Sequence, residues 1–141
     1  MLAYPVGNAA VKTPLKGLHL IIGLLALVTF LLTGQYMRYH IHHLMEADDR
    51  LRFSLRGNHI YILLSALINL GLGAYLHLSF VRWKAYAQRI GSLLVLAATV
   101  LIVLAFFFES KASLERPYTF WAAVMFIAGT TLHIISGFRK E

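Results

Sequence analysis

Four apolar runs, each close to the length needed to cross a lipid hydrocarbon core, divide this chain. They extend from Leu18 to Tyr36, Ile60 to Val81, Ile90 to Phe108 and Tyr118 to Phe138. A transmembrane helix needs ~20 mainly apolar residues at about 1.5 Å rise each. In lipid every backbone amide must be satisfied within its own segment, so such runs become helices. The expected fold is all-α: a membrane-embedded four-helix bundle forming one domain over residues 1–141. An even number of crossings puts both termini on the same face.

Composition agrees with this reading. Hydrophobic residues make up 59% of the chain and charged residues 13%, which excludes a disordered chain and an ordinary soluble domain. Thirteen Lys/Arg against six Asp/Glu give a net charge of +7. The basic residues bracket the apolar runs, so lipid headgroups, and no nucleic acid, are the expected counter-charges. With no cysteine, disulfides, thiolate catalysis, iron–sulfur clusters and Cys-type zinc sites are excluded.

The segment ahead of span one is short and mildly basic. Span one is too long for a signal-peptide core and no A-x-A site follows it, so it is expected to be retained. The face with the termini and the loop after span two would carry Lys12, Lys16, Arg82, Lys84, Arg89, Arg139 and Lys140. The other face would carry Arg38, Arg50, Arg52, Arg56, Lys111 and Arg116. Seven against six points to cytoplasmic termini. In the long loop, Ile41, Leu44, Leu51 and Leu55 recur at helical spacing between charges, which suggests an amphipathic interfacial helix over about 40–55.

Helices in lipid pack through small residues and interhelical hydrogen bonds. His19, Gly23 and Ala26 in span one, Ser65, Asn69 and Gly73 in span two, and Ala122, Gly129, His133 and Gly137 in span four mark inward faces. Span three, with Leu94, Leu96, Leu101 and Ile102, is expected to face lipid or a partner. Asn69 is expected to bond a neighbouring helix. No acid or base lies deep within a span, which argues against ion-coupled transport.

Seven histidines are the most specific signal. His19, His77 and His133 lie just inside the terminal face, and His40, His42, His43 and His59 near the other. His59 and His77 are eighteen residues apart, five helical turns, and share one side of span two. This resembles the bis-histidine arrangement of two-haem membrane cytochromes b, although there the paired histidines lie about four turns apart. The resemblance implies haem b between His19 and His77 or His133, and between His40 and His59. A divalent metal is the other reading, held by His40, His42, His43 and Glu46, with Asp48 and Asp49 nearby. Polar interfacial histidines satisfied by water or phosphate are the plain alternative. Arg56, Asn58, His59 and Tyr61 cluster at the expected start of span two. There Asn58 would cap the helix and Arg56 would favour an anion such as a headgroup phosphate.

The stretches LLTGQYMRYH, RGNHIYILLSALINLGLGAYL, QRIGSLLVLAATVLIVLAFFFE and ERPYTFWAAVMFIAGTTLH resemble small uncharacterised four-span bacterial membrane proteins. That resemblance implies an inner-membrane address and no particular activity. Chain length and span number also resemble the membrane-associated eicosanoid and glutathione transferase family. Its basic motif at span two is matched in part by Arg52, Arg56 and Asn58, without the family's Glu and following Pro. No catalytic motif is present. The leading expectation is an accessory, scaffolding or interaction subunit of a larger membrane complex or homo-oligomer. The alternative is a haem- or metal-binding membrane protein.

Overall fold

The computed structural model describes residues 14–109 and 116–137. Among them are five helices and no strand: α1 (Pro14–Tyr39), α2 (His42–Ala47), α3 (Asp49–Tyr75), α4 (Arg82–Phe108) and α5 (Pro117–Gly137). All but α2 are long and apolar enough to cross a membrane. The chain is thus an all-α integral membrane bundle, as the four apolar runs require. Lys12, Lys111, Glu115, Phe138, Arg139 and Lys140 lie outside the described residues.

Local chemistry sets the helix starts. Pro14 and Pro117 open α1 and α5, where a proline forfeits no intrahelical bond. Asp48 caps α3, its carboxylate accepting from the amides of Arg50 (2.9 Å) and Leu51 (3.2 Å). This moves the start of the second span eleven residues upstream of its expected position. Asn58 is therefore no cap. It lies in the third turn of α3 and is buried.

The interfacial helix expected over 40–55 is likewise broken at Asp48, into the short α2 and the first turns of α3. Of its apolar face, Leu55 is buried, Ile41 and Leu51 are half-buried, and Leu44 stays exposed. Ile41, Leu44, Leu51 and Leu55 line one crevice of about 210 Å³ with Tyr36, Phe106 and Phe107. At its other end α3 stops at Tyr75, six residues short of the expected Val81, because Leu76 turns to extended backbone.

The helices pack as two antiparallel hairpins, α1 on α3 and α4 on α5, joined chiefly along α3 and α4. Along the first hairpin Leu20 meets Gly73, Gly23 meets Leu70 and Gly34 meets His59. A Cβ on Gly23 would lie 2.9 Å from the Leu70 amide nitrogen, and one on Gly73 the same distance from that of Leu20. Only hydrogen at those positions lets the two backbones approach this closely.

The third span corrects its expectation. Far from turning mainly to lipid, α4 is the most buried of the spanning helices. Gly91, Ser92, Val95, Ala98, Thr99, Ile102, Ala105 and Phe106 form its inner stripe. The apolar core of Met37, Leu55, Ile62, Ala98, Ile102, Phe106 and Ala122 occupies the half nearer the long loop. Exposed aromatic residues, among them Tyr39, Trp83, Tyr86 and Trp121, lie at helix ends, where amphipathic rings meet headgroups.

Candidate functional site: a buried histidine network

The half of the bundle toward the 76–81 turn holds a chain of polar groups. Asn69 on α3 is completely buried and touches three helices. Its Nδ2 donates to the Ser65 carbonyl (2.9 Å) and to the Thr99 hydroxyl on α4 (2.7 Å). Thr99 in turn donates to the Val95 carbonyl (2.9 Å). The Ser65 carbonyl can only accept, so the orientation of the Asn69 amide is fixed. Its Oδ1 then faces His19 Nδ1 on α1 at 2.7 Å, and the proton of that contact must sit on His19 Nδ1.

A neutral His19 ring therefore carries its lone pair on Nε2. That nitrogen is buried and has no hydrogen-bond partner, and His19 is 0% exposed. A polar atom left bare in an apolar interior is costly and calls for a missing partner.

His133 on α5 approaches the same region. Its Nε2 lies 3.3 Å from the Ser92 hydroxyl on α4. The ring rests on Gly91, where a Cβ would come within 3.0 Å of it. Beside His133 opens a cavity of about 260 Å³, lined by Gly71, Leu72, Tyr75, Leu76, His77, Gln88 and Gly137. Gln88 Oε1 accepts from the Ser79 amide (2.8 Å) and so ties the 76–81 turn to α4.

The remaining expected site residues are dispersed. His77 falls beyond the end of α3, exposed, its Nδ1 donating to the Tyr75 carbonyl (2.8 Å). His59 packs against α1 instead of His40, with Nδ1 3.0 Å from the Thr33 hydroxyl and its ring stacked on Phe30 at 4.1 Å. His40 is exposed and stacks on Tyr36. His42 pairs with Glu46 at 3.5 Å on the surface, and His43 is exposed. Among the described residues no three His, Asp or Glu side chains gather as a metal site would require. Arg56 and Tyr61 are exposed while Asn58 is buried, so the cluster expected at the start of span two does not form.

A second polar group at the opposite end was not singled out from the sequence. The Glu109 carboxylate, 4% exposed, sits over the first turn of α5. It accepts from the amides of Tyr118 and Thr119 and from the Thr119 hydroxyl. Arg116 donates to Asn58 Oδ1 and lies 3.8 Å from Glu109, and Thr119 also reaches Asn58 (3.2 Å). The acid satisfies orphan amides at a helix start, where negative charge is favoured. Its signal in the sequence was an acid eight residues before Pro117.

The chain matches no known protein family, no curated protein and no solved structure.

Proposed function

We propose that this chain is an accessory or interaction subunit of the bacterial inner membrane that receives another membrane helix along α5. The supporting observation is the incomplete closure of the bundle: α5 packs extensively only on α4. The rest of α5 is open, and small side chains (Ala123, Ala128 and Thr131) interrupt its larger apolar ones. Small residues permit the close backbone approach that helices in lipid need. The slight excess of Lys/Arg on the terminal face supports cytoplasmic termini.

The chain has no cysteine, so an introduced thiol would be its only one. Thiol crosslinking of an Ala128→Cys variant in native membranes should give one discrete adduct, with a second copy or with a different subunit. Leu25→Cys, on the exposed face of α1, serves as the control. Absence of an adduct at both positions, together with a single-chain mass in mild detergent, would overturn the reading.

A second reading has one observation in its favour. The bare Nε2 of His19 supports a bundle that holds a haem or a metal through its histidines.

A further inference from the structure

We infer that the cavity beside His133 receives the headgroup of a membrane-soluble quinone, whose carbonyl oxygen accepts hydrogen bonds from Gln88 and His133. Such a ligand is separate from the helix partner and from the haem or metal considered above.

Two donors border this space, each oriented by a contact behind it. Gln88 is only 6% exposed. Its Oε1 is taken by the Ser79 amide at 2.8 Å, so its Nε2 protons are left for the cavity that Gln88 lines. Among the described residues nothing accepts them.

The second donor follows from Ser92. That residue is completely buried, and among the described residues its hydroxyl meets one partner, His133 Nε2 at 3.3 Å. Were the imidazole to donate, the hydroxyl proton would stay unbonded in the interior, which is costly. Ser92 is therefore the donor, and the ring proton of a neutral His133 sits on Nδ1. Gln88 and Ser92 are one turn apart on α4, about 6 Å of helix rise, so both donors border the same small space.

The walls select the ligand class. Leu72, Leu76 and Tyr75 supply apolar and aromatic surface, and no Lys, Arg, Asp or Glu is among the described residues that line the cavity. A phosphate headgroup would lack a cationic partner there, and a hard metal ion would lack a carboxylate. Two uncharged donors suit a neutral carbonyl. The volume of about 260 Å³ falls just below the ~300–1,000 Å³ of pockets that bury a whole drug-sized ligand. It admits one ring, with a lipid tail left outside. Gly71 and Gly137 keep it open, for a Cβ at either would meet nothing within 4 Å. Exposed Trp83 and Tyr86, at the same end of α4, mark the headgroup level. The polar end of a quinone lies at that depth.

The test places the full chain in vesicles of phosphatidylethanolamine and phosphatidylglycerol and titrates a decyl-tailed benzoquinone, a quencher of indole fluorescence. The chain has two tryptophans. Trp83 precedes Gln88 by five residues, about 8 Å of helix rise, whereas Trp121 lies near the start of α5 at the opposite face. In a Trp121→Phe background, quenching of Trp83 should saturate at a single quinone per chain. In a Trp83→Phe chain, Trp121 should dim only in proportion to the quinone dissolved in lipid. Gln88→Glu keeps the oxygen that holds Ser79 but removes the donor. It should weaken binding about tenfold, as for one hydrogen bond left unmade, and His133→Phe should do the same. Gly71→Leu should abolish saturation by filling the cavity while the chain unfolds no earlier than wild type, which separates a lost site from a lost fold. His59→Ala, at the far end, should bind as wild type. Saturable quenching that survives both Gln88→Glu and Gly71→Leu would overturn the site. Quenching that never saturates and is alike for the two tryptophans would leave the cavity to the ester carbonyls of bilayer lipid and overturn the quinone.

Discussion

Gly91 on α4 and Gly129 on α5 face each other so closely that a Cβ on either would lie 2.8 Å from the other's carbonyl oxygen. The contact is reciprocal and backbone to backbone, so no flexible side chain can yield. Replacing either glycine with alanine must push the second hairpin apart. The expected cost is about 1–3 kcal/mol, the range for overpacked interiors. Gly71→Ala is the control: its added methyl meets nothing within 4 Å, and a helical alanine gains about 0.5–1 kcal/mol over glycine. Unfolding titrations of the three variants in mixed micelles should therefore show opposite signs.

Asn69 links α1, α3 and α4 through its amide. Asn69→Ala should destabilise the bundle by about 0.6–2 kcal/mol, the range for hydrogen bonds between membrane helices. It should also free the His19 ring. In wild type the His19 Nδ1 proton should exchange slowly and give an observable NMR signal; in the variant that signal should vanish. A persistent signal would contradict the tautomer assigned from the network.

Glu109 anchors the start of α5. Removing it in Glu109→Ala should cost about 1–2 kcal/mol, as for the loss of a strong helix cap, and should leave Arg116 without its carboxylate. The local signature is faster hydrogen exchange at the amides of Tyr118 and Thr119, the two it holds. Glu109→Gln keeps an acceptor oxygen and should fall between wild type and alanine.

The His42–Glu46 pair is exposed on both sides. Such a pair one helical turn apart contributes only about 0.2–0.5 kcal/mol. His42→Ala and Glu46→Ala should leave stability and metal content near wild type. A marked loss of bound metal in either variant would return attention to this loop.

The spans were legible in the sequence because lipid selects for one property, sustained apolar length, that is visible in a linear chain. The inward stripe of His19, Gly23 and Ala26 and the bonding role of Asn69 were legible for a related reason. Small and polar residues in a spanning helix have few uses other than packing.

The role of α4 was obscured. In a membrane both the core and the lipid face are apolar, so its leucines did not distinguish inside from outside. The signal lay in the seven-residue recurrence of Gly91, Ala98 and Ala105, with Ser92 and Thr99 beside them. That is the spacing of one continuous helix face. The start of α3 was misplaced because a charged helix extension outside the apolar run carries no hydropathy signal. Only the Asp48 cap marked it. The network at Glu109, Arg116 and Asn58 joins residues 58 positions apart, and no local pattern encodes such a contact.

Pairing α1 with α3 and α4 with α5 also constrains how the molecule is made. Each hairpin joins spans that are consecutive in synthesis, so its glycine contacts can form as soon as the second member enters the bilayer. The seam between hairpins, carrying the Asn69–Thr99 bond, can close only after α4 has arrived. A ribosome-bound chain halted within α4 should therefore already contain a protease-resistant first hairpin, with His19 and Asn69 in register before their α4 partner has left the translocation channel.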